Sequence, residues 1–288
     1  MTLSVGFLVA YDYKYLEYAL PLVYNHCEHI VLTIDKNHLT LTGQKFTINS
    51  DFFIWVNAID VNRKVTWNEE AFFKEGLTPL EVILGMRNSM LGRMPRSDWY
   101  IQLDADEYFI NFSGFRDWLS KLPPQAGISV IRVAWKTMFK QTKGGFLMVE
   151  GRKEQTNVAL NIPENTSERN HKDAVPIEAP FYMVHQSWAR SQSEVAIKIM
   201  NWSHTRDFDT SPFLNFWNGL SHRNYRYVRN FHPLTGPIWP FLTLVPAKDV
   251  VDLVSWYEKY PSQSLAAPPL PLWYRLKNKL RRLFIPTT

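Results

Sequence analysis

The first hundred residues alternate between short apolar runs and segments with a helical pattern. This alternation limits the possible fold classes more than any other feature of the sequence. The apolar runs predict four β-strands, at 4–10, His29–Asp35, 52–58 and 99–103. Helices are predicted between them at 15–25 and 78–93. The second helix opens with Thr78, Pro79 and Glu81, which suit a capping box with proline at the first helical position. Such alternation is typical of βαβ units, so we expect an α/β fold with a mixed, mainly parallel central sheet flanked by helices.

The second half of the chain is less regular, and its elements are predicted from shorter patterns. Strands are expected at 128–139, 146–150 and 181–185, and helices at 193–202 and 247–260. Residues 161–178 are polar, which is typical of a mobile surface loop. The four prolines of segment 261–271 indicate a linker. We therefore expect a main domain over residues 1–246 and, over 247–288, C-terminal helices joined by that linker.

Composition excludes several classes of protein. The 288 residues are 45% hydrophobic and 20% charged, which is not the composition of a disordered chain. The single cysteine, Cys27, excludes a disulfide framework and a cysteine zinc site. The sequence has no apolar run of about 18 residues and no signal-peptide pattern. A cytoplasmic location is therefore expected, with membrane association on the cytoplasmic face left open.

The net charge of +5 is concentrated at the C-terminal end of the chain. From residue 271 onward there are five basic residues and no acidic one, so the rest is close to neutral and no nucleic-acid partner is expected. Apolar side chains recur there at helical spacing, at Leu272, Trp273, Leu276, Leu280, Leu283 and Phe284. A basic amphipathic helix of this kind predicts peripheral contact of segment 271–288 with an anionic membrane. A terminal helix that packs on the body is the alternative.

An acidic motif, Asp104-Ala105-Asp106-Glu107, directly follows a predicted buried strand and points to chemistry. Open α/β sheets bind ligands outside the carboxyl ends of their strands. Aspartates at i and i+2 of an extended chain can face one cation, and carboxylates suit Mn²⁺ or Mg²⁺ held together with substrate phosphates. Asp104 and Asp106 are therefore the candidate metal ligands, and a solvated acidic turn is the alternative.

Two further side chains are predicted at the same edge of the sheet. Arg87 falls in the middle of an apolar stripe formed by Leu80, Ile83, Leu84, Met90, Leu91 and Met94. A guanidinium on a buried face needs an anion, and Asp104, Asp106 or a ligand phosphate would serve. An arginine that snorkels at the sheet edge is the alternative. Asp35 ends a strand, where it would accept hydrogen bonds from a ribose or a base, or else cap a turn.

This layout resembles the GT-A-type nucleotide-sugar glycosyltransferases, specifically the family 2-like group whose metal motif reads Asp-x-Asp-Glu. The resemblance covers roughly residues 3–210. Besides the acidic motif, the matching segments are 5–10, the strand end at Asp35, Arg87-Asn88, 133–139, 149–152, His185 and 190–198. The resemblance implies a GT-A-like, Rossmann-like fold and a nucleoside-diphosphate-sugar donor.

The resemblance also implies roles for individual residues. Asp35 would contact the nucleoside of the donor. Asp106, with Asp104, would hold the Mn²⁺ or Mg²⁺ ion on the diphosphate, and His185 would complete the coordination of that ion.

Transfer of the sugar needs further groups. A leaving nucleoside diphosphate gains negative charge, which Arg190 or Lys198 would help to stabilise. An inverting transfer to a hydroxyl of a glycan or lipid-linked acceptor also needs a general base. Glu150 is favoured as that base because it ends a strand in the second half of the chain. The other candidates are Glu178, Glu194, Asp207 and Asp209.

Two other functions fit parts of the pattern. A nucleotidyl- or phosphotransferase would use the same carboxylates, but it usually needs a glycine-rich phosphate loop near the first strand, and residues 1–42 contain only Gly6. A non-catalytic carbohydrate-binding module would use the many aromatic side chains, with the acids as a structural ion site or a cap.

Overall fold

A ten-stranded sheet organises the part of the chain that this computed structural model describes. The described residues are 1–151, 154–201, 208–234, 238–260 and 266–269. The strands are β1 (Leu3–Val9), β2 (His29–Asp35), β3 (Val65–Glu70), β4 (Trp99–Asp104), β5 (Glu107–Phe109), β6 (Ser129–Thr142), β7 (Gly145–Glu150), β8 (Glu154–Leu160), β9 (Val175–His185) and β10 (Phe241–Val245). The helices are α1 (Leu16–Tyr24), α2 (Ser50–Ile59), α3 (Pro79–Arg93), α4 (Phe112–Ser120), α5 (Gln192–Asn201), α6 (Thr210–Gly219) and α7 (Val250–Lys259). The α/β class expected from the sequence is confirmed.

The sheet has a parallel half and a largely antiparallel half. Strands β4, β1, β2 and β3 lie side by side in that order, and all are parallel. From β4 the sheet continues through β8, β6, β7 and β10, and each of these neighbours is antiparallel to the last. Strand β9 is parallel to β6 and antiparallel to β5. The expected mixed sheet is therefore confirmed, with its parallel strands in the N-terminal half and antiparallel neighbours where a hairpin such as β6–β7 reverses the chain direction.

Helix α3 begins as predicted, although its buried face is rotated from the predicted stripe. The Thr78 hydroxyl accepts a hydrogen bond from the N–H of Glu81 at 3.3 Å, and the Glu81 carboxylate accepts one from the N–H of Thr78 at 2.7 Å. Leu80, expected in the stripe, is 52% exposed. The buried side chains of this helix are Val82, Met86, Arg87, Met90 and Leu91. Arg87 is buried as expected, since it lies beside Met86 and Met90 on the true inner face.

The segment predicted as a strand at 52–58 is instead helix α2. The side chain of Asn49 caps this helix by accepting a backbone hydrogen bond in the first turn. Phe52 and Val56, four residues apart, bury one face, whereas Ile54 is 65% exposed. A short apolar run does not distinguish a strand from a helix, and here the cap and the spacing of four favour the helix. The strand that pairs with β2 on this side, β3, follows α2 in a polar stretch that carries no strand pattern.

Helix α7 packs into the same hydrophobic core as the first strands. Leu253 and Tyr257 belong to one buried cluster with Phe7 and Leu103. The predicted amphipathic tail lies within 270–288, outside the described residues, so that helix, its membrane contact and the proposed division of the chain stay predictions. Of the helices in the described part of the chain, none combines the length and the apolar character that crossing a bilayer requires.

Candidate functional site

Charged side chains converge on a cavity of about 230 Å³ at the carboxyl ends of β1, β4 and β9. Asp104 ends β4, His185 ends β9, and Asp12 follows β1. Asp106 follows β4 by two residues, and Lys198 enters the cavity from α5. Strands β1 and β4 are parallel neighbours, so their carboxyl ends meet at one edge of the sheet. The structure thus brings together four of the side chains that the sequence places in the site.

Asp104 lies between two arginines. Its Oδ1 accepts a hydrogen bond from Nη2 of Arg87 at 2.8 Å, and its Oδ2 accepts one from Nη2 of Arg169 at 2.6 Å. Burial raises the pKa of the Asp104 carboxyl, but Arg169 and Arg87 outweigh burial and hold this pKa below its usual value. Asp104 is therefore ionised at neutral pH, and both of its oxygens are bound by guanidinium groups.

Arg169 also holds Glu107, the last acid of the motif. Its Nη1 and Nη2 each lie 2.9 Å from a carboxylate oxygen of Glu107. Glu107 is fully buried and also accepts a hydrogen bond from the N–H of Asp104 at 2.8 Å. Burial raises the pKa of Glu107 even though Arg169 opposes this shift. Glu107 therefore closes the turn between β4 and β5 and does not line the cavity.

Three nitrogen-bearing side chains surround the buried carboxylate of Asp106. Its Oδ2 accepts hydrogen bonds from Nη2 of Arg190 at 2.5 Å and from Nζ of Lys198 at 3.4 Å. Nε2 of His185 lies 3.3 Å from the same oxygen. Burial raises the pKa of Asp106, but the surrounding groups, Lys198 first, outweigh it and hold this pKa well below its usual value. Arg190 also donates to Oδ2 of Asp12 at 2.9 Å, so one guanidinium joins two carboxylates.

The charges of this cluster balance. Burial and the neighbouring Arg190 lower the pKa of Lys198, and Asp106 opposes that shift. Burial also lowers the pKa of Arg190, but Asp106 and Asp12 outweigh it and raise this pKa well above its usual value. Apart from His185, the cluster holds four acids and four bases, which are Asp12, Asp104, Asp106, Glu107, Arg87, Arg169, Arg190 and Lys198.

The predicted metal ligands are thus arranged around cations of the chain itself. Within the described ranges, no group of three or more His, Cys, Asp or Glu side chains is placed to hold an ion. Asp104 has both oxygens on guanidinium groups, and Asp106 is bound by Arg190 and Lys198. As arranged, this set does not fit a divalent ion, because both oxygens of Asp104 and Oδ2 of Asp106 already accept hydrogen bonds from arginine and lysine side chains. The Mn²⁺ or Mg²⁺ ion stays a prediction from the sequence.

An aromatic contact fixes the ring of His185. The indole of Trp135 stacks on the imidazole with ring centroids 4.4 Å apart and an angle of 10° between the planes. Both rings line the cavity, since Trp135 on β6 and His185 on β9 come from paired strands. The stack leaves the ring edge of His185, with Nε2, facing Asp106.

Asp35 ends β2 as predicted, but its carboxylate is turned into the protein. Its Oδ1 accepts hydrogen bonds from the N–H groups of Asn37 and Leu39. Its Oδ2 accepts them from the N–H groups of Phe72 and Phe73. These four bonds correspond to the turn-capping alternative, and they hold the loop that forms one wall of the cavity. The predicted contact with a nucleoside would need oxygens that the backbone already occupies.

Glu150, the favoured general base, lies apart from the cluster. Its carboxylate accepts hydrogen bonds from Nζ of Lys136, at 3.0 Å to each oxygen. Lys136 follows Trp135 along β6, so it projects from the face of the sheet opposite to Trp135 and the cavity. Burial raises the pKa of Glu150 although Lys136 opposes this shift. The structure therefore does not bring Glu150 together with the acidic motif, because its partner side chain lies on the other face of β6.

The segment expected as a mobile surface loop, 161–178, packs against the site instead. The side-chain amides of Asn165 and Gln102 exchange two hydrogen bonds, at 2.9 and 3.0 Å. The backbone of Asn165 exchanges two more with the side chain of Asn88, at 2.8 and 3.0 Å. These four bonds tie the segment to α3 and β4 and bring Arg169 to the acidic motif. The last four residues of the segment begin strand β9.

Sequence reasoning missed three residues of this site. Asp12 and Glu168 line the cavity, and Arg169 neutralises the acidic motif. One signal for Arg169 was available: a motif with three acids after a buried strand needs more than one cation, and Arg87 alone was assigned to it. Asp12 and Glu168 lie in short polar stretches that carried no such signal.

No protein-family model matches the chain, and no curated protein sequence matches it either. Among solved structures, S. aureus TarS residues 1–349 is 12% identical over 70% of this chain and 66% of that chain, with a TM-score of 0.40. A longer structure of S. aureus TarS is 13% identical over 78% of this chain and 45% of that chain, with a TM-score of 0.37. The glycosyltransferase GlyE of Streptococcus pneumoniae TIGR4 is 12% identical over 73% of this chain and 52% of that chain, with a TM-score of 0.32.

The chain therefore spans less than two thirds of the length of each of these structures. At these identities and TM-scores, the similarity supports no statement about activity. What the protein does has to be inferred from its own residues.

Proposed function

We propose that this protein is a glycosyltransferase that moves a sugar from a nucleoside-diphosphate sugar to a hydroxyl of a glycan or lipid-linked acceptor. The observation that carries the proposal is the cavity at the carboxyl ends of β1 and β4, where Asp106 meets Arg190, Lys198 and His185. Nucleotides bind at this edge of open α/β sheets. Asp104 and Asp106, which line the cavity, also belong to one of the segments that resemble the GT-A glycosyltransferases.

Arg190 and Lys198 provide positive charge for a leaving diphosphate. Asp106 holds the ends of both side chains, so their positions are set before a ligand binds. Charged donors that are already oriented stabilise developing negative charge without reorganising during the reaction. We therefore assign both cations to the diphosphate of the donor, and no step of this proposal depends on a metal ion.

A base is needed to take the proton of the acceptor hydroxyl if the transfer inverts the sugar carbon. Because Glu150, at the end of β7, pairs with Lys136 on the face of the sheet away from the cavity, we assign this role to Glu168. Glu168 lines the cavity together with Asp104 and Asp106. Its side chain is exposed and, within the described part of the chain, makes no hydrogen bond or ion pair, so its carboxylate is available to an acceptor.

The proposal is tested by incubating the full-length protein with UDP-, GDP- and dTDP-sugars and measuring released nucleoside diphosphate. Each donor is tested with Mn²⁺ and with EDTA. We expect release from at least one donor, and loss of that release in Lys198→Met. If no donor is bound or hydrolysed under either condition, the proposal is wrong. Release with Mn²⁺ but not with EDTA would confirm the predicted ion, and equal release would contradict it.

A further inference from the structure

A second depression, of about 1030 Å³, adjoins Arg190, and its lining is strongly basic. Its charged lining residues are Lys14, Lys140, Lys143, Arg190, Arg223 and Glu194. With five cations and one acid, the lining carries an excess of positive charge. This excess is local, because the net charge of residues 1–270 is close to zero. We call this depression the basic groove.

Among the residues that the structure describes, three cations of the basic groove have no anionic partner. Lys14 and Arg190 are each neutralised by carboxylates. Lys140 donates from Nζ to three carbonyl oxygens at the end of α6, at 2.6 to 3.2 Å, which hold the side chain in place without a carboxylate. Lys143 and Arg223 make no hydrogen bond from their side chains and no ion pair within the described ranges. An anion that entered the groove could therefore bind these three cations without breaking an existing ion pair.

Arg190 joins the basic groove to the cavity. Its guanidinium lies over the ring of Tyr15, 4.7 Å from the centroid, and both residues line the groove. The Nη2 atom of the same guanidinium bonds to Asp106 at 2.5 Å. Gln186 also lines the groove and directly follows His185, which lines the cavity. A molecule held in the groove would thus lie next to the acidic cluster.

The chemistry of the lining indicates which ligand the groove takes. A site for neutral sugars would be expected to offer aromatic faces, and Tyr15 is the one Phe, Trp or Tyr side chain among the described residues that line the groove. A single-stranded nucleic acid would need several such faces for its bases. Lysine and arginine side chains without partners instead suit phosphate groups.

We propose that the basic groove binds a phosphate group carried by the acceptor. That the bound molecule is an acceptor rests on the proposed transferase function, whereas phosphate binding by the groove does not depend on it. The phosphate belongs either to a soluble phosphate-bearing glycan or to a lipid-linked one. In both cases the groove would hold the charged part of the acceptor while its hydroxyl enters the cavity.

The experiment measures binding of inorganic tripolyphosphate to the full-length protein by calorimetry at low salt. The test variant is the double charge reversal Lys143→Glu/Arg223→Glu. The matched control is Lys74→Glu/Arg96→Glu, which reverses two exposed cations that do not line the groove. Both proteins keep the basic residues beyond 270, so any binding there is common to them. We expect the test variant to bind about tenfold more weakly or worse, and the control to bind like the wild type.

Equal binding by the two double variants would overturn the proposal. Because tripolyphosphate binding needs no donor and no turnover, it tests the groove even if no nucleotide sugar is a substrate. Sedimentation with vesicles of phosphatidylcholine and phosphatidylglycerol distinguishes the two sources of phosphate. Vesicle binding that falls with the test variant supports a lipid-borne phosphate, and weakened tripolyphosphate binding with unchanged vesicle binding supports a soluble acceptor.

Discussion

The Nη2 atom of Arg169 lies 2.6 Å from Oδ2 of Asp104, although 65 residues separate them in the chain. The same guanidinium holds Glu107, so a single loop residue neutralises two acids of the motif. Glu168, which lines the cavity, directly precedes Arg169 in the chain. The wall of the cavity that this loop forms is therefore fixed by an ion pair to the floor formed by the acidic motif.

Arg169→Ala should destabilise the protein by about 3 kcal/mol, because it leaves the fully buried carboxylate of Glu107 without a cation. The free energy of unfolding in urea measures this effect. Lys172→Ala removes an exposed cation of the same loop and should change stability by less than about 0.5 kcal/mol. If the two variants lose stability equally, Arg169 does not neutralise the motif.

Glu168→Gln should lower kcat for transfer by roughly 10²-fold or more and leave the KM for the donor close to the wild-type value. The reason is that a base acts on the acceptor hydroxyl and is not needed to hold the donor. Steady-state kinetics with saturating acceptor separates the two parameters. Glu164→Gln, an exposed acid on the same loop, is the control. A raised KM for the donor with unchanged kcat would assign Glu168 to donor binding.

Asp106→Asn should abolish turnover and also destabilise the protein by about 3 kcal/mol, because Lys198 loses the carboxylate that neutralises it. Adding Lys198→Met should restore part of the stability and none of the activity. Thermal unfolding and donor hydrolysis, measured on both variants, test the two effects. Asp117→Asn, at an exposed position, provides the control. If Asp106→Asn alone is as stable as the wild type, Asp106 does not neutralise Lys198 and Arg190.

Arg87→Met should cost about 1 to 3 kcal/mol of stability, because Asp104 keeps Arg169 but loses its second cation. The loss is limited because Nε and Nη1 of Arg87 are buried with no hydrogen-bond partner in the described part of the chain, and methionine removes them. Arg93→Met changes an exposed arginine of the same helix and should have little effect. An equal effect of the two substitutions in urea unfolding would contradict the ion pair.

Three of the four strands in the parallel half of the sheet could be predicted because their local signals agree. Strands β1, β2 and β4 are apolar runs of the right length, and α3 carries a complete capping box. The need of Arg87 for an anionic partner followed from the cost of an unpaired buried charge, with Asp104 as one of the candidates. Helix α2 was missed because a run of seven residues has too few positions to separate a period of 2 from one of 3.6.

The rest of the site depends on long-range placement that local patterns do not contain. A polar loop can be exposed to solvent, or it can be held against the protein by hydrogen bonds between side-chain amides, and composition does not distinguish these cases. The position of Arg169, which lies on such a loop, therefore could not be predicted. Glu150 was assigned to the site because it ends a strand. The face of the sheet on which its side chain lies, however, depends on the register between β6 and β7. The basic groove gathers side chains from positions 14, 140, 143, 190 and 223, which a count of net charge cannot reveal.

Glu194 should make the stability of the protein depend on pH in the acidic range. Its carboxylate forms an ion pair with Lys14 and a capping box with Ser191 at the start of α5. Burial raises the pKa of Glu194, but the hydrogen bonds from Lys14 and Ser191 outweigh it and lower this pKa to about 2. A depressed pKa means that the ionised carboxylate stabilises the folded state above the pKa of the unfolded chain, near 4.5. This contribution should be lost as the pH falls from about 4.5 towards 2.

Glu194→Gln should therefore cost on the order of 1 kcal/mol at pH 7, allowing for partial solvent screening of the ion pair, and progressively less as the pH falls below about 4.5. The free energy of unfolding in urea, measured at pH 7 and pH 3, gives the difference directly. Glu17→Gln, an exposed acid on neighbouring α1, serves as the control and should show no comparable pH-dependent difference. A cost for Glu194→Gln that is the same at both pH values would show that the charge of Glu194 does not stabilise the start of α5.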